Sequence, residues 1–438
     1  MIRFSTIALL YLILSPCSSF GQDFGSQCET RNASEYLYKE HPELRPENNA
    51  AYQKLERAIK QGHLRRNDEK FIIPVVFHII HDNGPENIPD ERIYEAVDIL
   101  NEDFNFKNLD RFEIVDEFEG IAANIGIEFR IARKNARGNC ELGIIRKESK
   151  ATNNGNWDAP LNVKAVSYWP RDKYLNIWIV AKSDGGNGSG WAYLPSQVED
   201  RPTVDGIVMS ARYIGHSLKG TDQASFNRVL THEVGHFLNL RHIWGPGENG
   251  EQDQCDEDDG VDDTPNTNGF TGCDTGRLSC GSLDNNQNYM EYTRCPRMFT
   301  NGQKERMLVT LMSDVSDRNK LWQEENLIAT GVIGEASECD VVTGLRGDLL
   351  ENPFKLSIYP NPSNKRFDLT FSLEKREKVT IQIQDVNGRT IHSVVNSVWY
   401  NAGEHHLPNI DLSDMNAGLY FLNVIVDEVR SVNRLILQ

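Results

Sequence analysis

The residues from His232 to His242 read HEVGHFLNLRH, and the interpretation of the chain starts there. His232 and His236 are four apart, so a helix of 3.6 residues per turn sets both on one face, with Glu233 beside the first. Neutral imidazoles bind Zn²⁺ through nitrogen, and three protein ligands leave a fourth position for water. His242 follows six residues after His236 and supplies the third ligand if the helix stops and the chain turns in between. Glu233 is then placed to take a proton from that water. The bland alternative is a chance HExxH match, which the third histidine makes much rarer.

The spacing resembles HExxHxxGxxH of the metzincin metallopeptidases, which is followed later by a methionine turn. Asn239 stands where those enzymes carry glycine. The chain must leave the helix there at positive φ, and asparagine is the next most tolerant residue after glycine. Asn239 is therefore expected at positive φ.

The surroundings are those of an exported globular protein. A 438-residue chain with 39% hydrophobic and 25% charged residues has room for two or three domains. A net charge of −18 argues against nucleic acid or anionic membranes as partners. Residues 1–21 carry Arg3, an apolar run from Ile7 to Leu14, then small residues with Ser19 and Gly21 before Gln22. That pattern is a signal peptide cut after Gly21, too short in its apolar part to span a bilayer. Cys17 would suit a lipoprotein anchor, but Pro16 before it fits such a site poorly. No other stretch is long and apolar enough for a transmembrane helix, so the chain is expected to be secreted and soluble.

Export permits disulfides. Seven cysteines follow the signal peptide, at 28, 140, 255, 273, 280, 295 and 339, and an odd number leaves at least one unpaired within the chain. Cys28 is the natural odd one, in a polar segment (22–66) that closes on the basic site Leu64-Arg65-Arg66 and holds one candidate helix, Asn49 to Gln61. A thiolate is a good zinc ligand. Cys28 could therefore fill the open metal position and keep a precursor latent; a thiol paired elsewhere or idle is the alternative.

Downstream, Phe71 to Ile80 (FIIPVVFHII) reads as a buried strand, with His78 structural rather than a ligand. Pro89 and Asp90 start a helix whose stripe of Ile93, Ala96, Val97, Leu100 and Phe104 is core. Gly126 to Ala132, Tyr174 to Val180 and Gly206 to Met209 read as strands. The glycine-rich stretch Gly185 to Gly190 has the wrong spacing for a nucleotide loop. It is either a strand edge offering backbone groups to a peptide or a flexible loop. The strand at 174–180 is expected to align substrate in extended form. The site helix is expected from Thr221 or Asp222 to Leu238, with Phe226, Val229, Leu230 and Phe237 facing the core. The mixture of strands and helices makes an α/β or α+β domain.

From Glu248 to Asp263, nine of sixteen residues are acidic. Such density suits Ca²⁺, with Asp262, Asp263 and Thr264 as candidate ligands, or else a solvated acidic loop. Asn288-Tyr289-Met290-Glu291-Tyr292 follows. At its distance behind the zinc motif, Met290 looks like the methionine turn and Tyr292 sits where several metzincins present a phenol to the reaction.

Together IPVVFHII, YLNIWIV, the zinc motif, VDDTP and NYMEYT…C…MFTNGQKERM resemble the pappalysin family of metzincins, its ulilysin-like members in particular, over roughly residues 70–325. The resemblance implies a twisted sheet with helices above a horizontal zinc cleft, an irregular lower subdomain, and calcium after the third histidine. It implies disulfides Cys255–Cys280 and Cys273–Cys295, which leaves Cys140 and Cys339 to pair, and a cysteine-bearing propeptide. One departure concerns specificity. The stretch after Tyr292 is two residues shorter, Thr293-Arg294-Cys295, and lacks the acids tied to a preference for basic residues.

Residues 355–438 differ in character. Val379 to Ile383 and Leu419 to Val426 alternate as strands, with turn signals at Asp385–Gly388 and Asn401–Gly403. They make a small all-β sandwich. YPNP, DVNGRTI, IDLSDMNAGLYFLNV and the terminal RLILQ resemble the C-terminal sorting domain of type IX secretion; an immunoglobulin-like binding module is the alternative. The expected organisation is a signal peptide (1–21), a propeptide (22–66), a metzincin zinc-peptidase domain (67–330), a linker (331–354) and the sandwich (355–438). The expected activity is zinc-dependent endopeptidic cleavage of protein or peptide substrates, with the type IX machinery as export partner. A disabled zinc fold would need a broken ligand or base, and none is broken. A zinc hydrolase of other substrates fits the methionine turn poorly.

Overall fold

The computed structural model describes residues 27–62, 71–183, 188–215, 227–247, 255–333, 339, 356–361, 363–373, 375–385, 389–426 and 429–437. The expected signal peptide, the basic site at Arg65-Arg66 and the start of the site helix before Asn227 lie outside the described residues. The chain divides into two compact units, 1–335 and 336–438.

The first unit is built on a seven-stranded mixed sheet. Its strands are β1 (Gln27–Cys28), β2 (Phe71–His81), β3 (Ile127–Ile131), β4 (Ile144–Glu148), β5 (Leu175–Val180), β6 (Gly188–Ala192) and β7 (Ile207–Ser210), in the order β1-β6-β7-β5-β2-β3, with β4 also on β2. All eleven residues of β2 are buried. A strand covered on both faces reads as a continuous apolar run, and FIIPVVFHII is one. His78 is structural as expected, bridging Ser167 and Asn176 at 2.8 and 2.9 Å.

Helix α3 (Asp90–Phe104) buries the expected stripe against this sheet. Its Asn101 amide satisfies the strand beside it, donating to the Phe129 carbonyl at 3.0 Å and accepting from the Phe129 N–H at 2.8 Å. Two further helices precede β2: α1 (Thr30–Glu40) and α2 (Ala50–Gln61). Helix α2 matches the expected span, and Asn49 caps it by accepting from the Ala51 and Tyr52 amides. Helix α1 was not foreseen. It buries Thr30, Ala33 and Leu37 alone, too few apolar positions to show a period.

The sequence expectation about substrate alignment needs correcting here. Strand 174–180 lies inside the sheet, between β7 and β2, so its backbone is already paired. The strand next to the cleft is β6, which shares Gly188 to Gly190 with the glycine-rich stretch read as a possible strand edge. It is antiparallel to β7, and its other edge carries β1, parallel, from the N-terminal segment. Gly190 is required by close packing on β7: a Cβ there would lie 2.7 Å from the Met209 sulfur and 2.9 Å from the Val208 carbonyl, with Glu233 Cγ of the site helix at 3.3 Å.

The site helix, α4 (Val229–Phe237), is buried throughout. Its C-terminal end is clamped by Arg318, whose guanidinium stacks 3.6 Å over the Phe237 ring and donates to the Phe237 carbonyl. Asp205 balances that charge in a two-pronged pair at 2.6 and 2.8 Å.

The second unit is an all-β sandwich. A four-stranded antiparallel sheet, β11-β10-β13-β14, faces a three-stranded one, β12-β9-β8. These are β8 (Ser357–Tyr359), β9 (Arg366–Leu373), β10 (Glu377–Gln384), β11 (Thr390–Tyr400), β12 (Gly403–Asp411), β13 (Gly418–Val426) and β14 (Val429–Leu437). Alternate residues point inward, so Phe367, Leu369, Phe371 and Leu373 share one core with Val379, Ile381, Ile383, Leu422 and Val424.

Candidate metal centre and cleft

Helix α4 ends in the turn that brings His242 back toward His232 and His236. Leu238 closes the last turn, Asn239 takes φ 75°, and Leu240 N–H returns to the Gly235 carbonyl at 2.9 Å. The chain reverses, and His242 comes back beside the two helical histidines. Arg306, on helix α5 (Asn301–Met312), holds this reversal by donating to the Asn239 carbonyl at 2.7 Å.

The imidazole protons are assigned by their partners. His232 Nδ1–H donates to the Tyr289 carbonyl at 2.7 Å and His236 Nδ1–H to the Leu240 carbonyl at 2.8 Å. Burial holds His232 down at about 4, and burial plus the neighbouring imidazoles keeps His236 and His242 well below the usual value. Burial thus favours the neutral form of all three. The Nε2 atom of His236 lies 3.1 Å from each of the others. For His232 and His236, whose protons are on Nδ1, lone pair faces lone pair across that distance, which is repulsive unless a cation lies between.

The fourth corner is Cys28. Its sulfur lies 3.5 Å from His236 Nε2, and the four ligand atoms fall within 4.8 Å of one another. Cys28 is the free thiol among the described residues, as the odd count required. Burial, with Glu233 nearby, pushes its pKa up, a cost that metal coordination removes because a coordinating thiol is deprotonated. The N-terminal segment grips the rest of the cleft too. Thr30 donates its hydroxyl to Glu233 Oε2 at 3.2 Å and accepts from the Ala192 N–H at 2.9 Å. Glu29 N–H donates to the Gly190 carbonyl at 2.9 Å, and Tyr292 donates its phenol to the Cys28 carbonyl at 2.6 Å.

Glu233 is fully buried, and burial raises its carboxyl to about 8. Burial raises Tyr292 as well, helped by Cys28 and Glu233. The Tyr292 ring packs edge-on against His242 and Trp244, with centroids 4.9 and 4.7 Å apart. Met290 is buried beneath α4; a Cβ on Gly235 would collide with its sulfur. The turn is fixed by Asn288, which accepts from Met290 N–H at 2.9 Å and exchanges amide hydrogen bonds with Gln303.

Both implied disulfides are present, Cys255–Cys280 and Cys273–Cys295, and Cys140 and Cys339 are each disulfide-bonded. In the acidic stretch the chosen residues separate. Asp262 is exposed. Asp263 serves helix α5, accepting from the Thr300 hydroxyl and the Gly302 N–H. Thr264 turns instead toward Asp259, with its hydroxyl 2.7 Å from Asp259 Oδ1 and 2.7 Å from the Val261 carbonyl. Asp259 was missed because one acid in a run of acids carries no mark of its burial.

Residues 162–312 match the peptidase family M43 model, described as pregnancy-associated plasma protein-A, and residues 357–438 match a secretion system C-terminal sorting domain. A mutant promirolysin of Tannerella forsythia is similar over 70% of this chain and 98% of its own, with 28% identity and a TM-score of 0.56. Mirolysin in complex with a compound is 31% identical, covering 60% of this chain and 99% of its own, with a TM-score of 0.53. The chain belongs to the M43, or pappalysin, family of metallopeptidases. An extracellular metalloprotease of Arthroderma otae is 26% identical over 247 residues, 54% of this chain and 76% of that protein. As an M43 member with a type IX sorting domain, the chain is a metalloendopeptidase delivered outside the cell or to its surface. Among the described residues, no helix is long and apolar enough to cross a membrane.

The M43 turn at Asn239 yields a test. Its side-chain amide is buried with no hydrogen-bond partner among the described residues. Asn239→Gly removes both orphaned groups and relieves the left-handed φ, for a net gain of about 1 kcal/mol after the entropy of glycine. Asn239→Val loses about 1–2 kcal/mol or more. Chemical denaturation of the two variants checks both signs.

Proposed function

We propose that this chain is a secreted zinc endopeptidase made as a latent precursor, with residues up to about Arg66 as its propeptide. The convergence of Cys28 with His232, His236 and His242 carries this reading. Tetrahedral zinc at ordinary bond lengths needs N···N edges of about 3.3 Å and S···N edges of about 3.6 Å; the three separations that involve His236, at 3.1, 3.1 and 3.5 Å, are near these, and all four ligand atoms lie within 4.8 Å of one another. The precursor form of mirolysin also matches a larger share of the chain, 70%, than mirolysin does, 60%.

A zinc ion held by the three histidines supplies Lewis acidity, polarising a carbonyl and lowering the pKa of a water. The remaining steps belong to the chain's own side chains. Once Cys28 and Thr30 leave, the Glu233 carboxylate is free to take a proton as water adds to the scissile carbonyl carbon. It then returns that proton to the departing amine nitrogen. The Tyr292 phenol, released from the Cys28 carbonyl, is placed to donate to the developing oxyanion. The Gly190 carbonyl and Ala192 N–H, now occupied by Glu29 and Thr30, become available to an extended substrate on the edge of β6.

For calcium, the structure favours Asp259 together with Thr264, one of the three expected ligands. Asp259 is buried, its Oδ2 has no partner among the described residues, and burial pushes its carboxyl up to about 7. With the Thr264 hydroxyl and the Val261 carbonyl beside it, this oxygen cradle suits a hard divalent cation that keeps Asp259 ionised. Calcium at about a hundredfold over Kd should stabilise the zinc-loaded protein by roughly 3 kcal/mol. Asp259→Asn should abolish the calcium-induced rise in Tm. An equal rise in both proteins would remove the cation from this loop.

The peptidase reading is tested on casein. Glu233→Ala should retain one zinc per chain and lose about 10²–10⁴ in kcat/KM, and cleavage at the wild-type rate would sink the mechanism. Cys28→Ala should shorten the lag before activity appears, whereas an unchanged lag would refute the latency role.

A further inference from the structure

One charged residue on the buried face of α3 is left unexplained by the core. Asp103 lies three residues after Leu100 and next to Phe104, within the apolar stripe, and is 1% exposed. A leucine there would pack without desolvation; a buried carboxylate is costly unless several directed bonds compensate.

Its bonds converge on the metal centre. Asp103 Oδ2 accepts from the Thr231 hydroxyl at 2.7 Å, one residue before His232. Oδ1 accepts from Arg228 Nε at 3.2 Å and from the Tyr289 phenol at 2.7 Å. Tyr289 in turn offers its backbone carbonyl to His232 Nδ1–H. Arg228 precedes α4, sits over the Tyr289 ring, and is held by a two-pronged pair with Asp110 at 2.6 and 2.7 Å. A single carboxylate thus ties the first turn of the site helix to the methionine-turn loop, the two elements that meet at His232.

We infer that Asp103 is a positioning residue for the metal centre. It acts through Tyr289 to fix the tautomer and angle of His232, and through Thr231 to fix the helix that carries it. The inference rests on the zinc reading above. Outer partners of this kind typically change metal affinity or activity by about 10–100-fold.

The test uses the zinc-loaded full chain and the rate of zinc release to a chromogenic chelator. Tyr289→Phe removes only the phenol, Asp103→Asn removes the charge, and Val76→Ala, a core truncation in β2, serves as a stability reference. Release should be at least fivefold faster in Tyr289→Phe and Asp103→Asn, and near the wild-type rate in Val76→Ala. If Asp103→Asn does not fold, Tyr289→Phe decides alone. A smaller change, or an equal one in Val76→Ala, overturns the positioning role. A wild-type chain that holds no zinc fails the earlier reading instead, so the two failures are distinct.

Discussion

Mutual repulsion between unprotonated imidazole nitrogens 3.1 Å apart is the constraint on which this fold is arranged. Nothing about hydrophobic burial would gather three histidines here, two of them with their lone pairs facing each other. Each is placed by separate means: helical spacing for His232 and His236, whose protons carbonyl acceptors keep on Nδ1, and a left-handed turn at Asn239 for His242. The surrounding architecture supplies those means. The Met290 turn lifts the Tyr289 carbonyl to His232, Arg306 secures the Asn239 reversal, and Arg318 clamps the end of the helix through Phe237.

The N-terminal segment uses the same cleft in a coordinated way. It places a sulfur at the metal corner, a hydroxyl on Glu233 and a backbone carbonyl on the Tyr292 phenol, while adding a short strand to β6. The Glu233 carboxyl, the Tyr292 phenol and the edge of β6 are all occupied by four consecutive residues, Gln27 to Thr30. Farther along the segment, Glu56 pairs with Arg306 and Asn49 donates to the Ser196 carbonyl at 2.8 Å. Removing the segment therefore opens the cleft and frees one partner of the arginine that holds the Asn239 turn.

Much of this was legible because it is local. Ligand spacing, the need for positive φ at residue 239, and the odd cysteine count each follow from a few neighbouring residues and elementary geometry. The alternating strands of the tail were equally plain, since one face of each meets a core. What escaped depends on tertiary partners. Two stretches read as peptide-aligning, strand 174–180 and an edge at Gly185–Gly190, and only tertiary pairing decides between them: 174–180 lies inside the sheet, between β7 and β2. The strand beside the cleft is β6, which overlaps the glycine-rich stretch and carries β1 on its outer edge. Helix α1 has too little apolar surface to announce itself. Asp259 was hidden among acids, whereas Asp103 did leave a sign: a charge inside the buried stripe of α3.

X-ray absorption at the zinc edge of the full-length, zinc-loaded chain tests the central claim most directly. A metal joined by three histidines and Cys28 predicts one sulfur at about 2.3 Å with three nitrogens at about 2.0–2.1 Å, and loss of the sulfur once the N-terminal segment is cleaved away. A first shell made of nitrogen and oxygen alone in the uncleaved chain would contradict it.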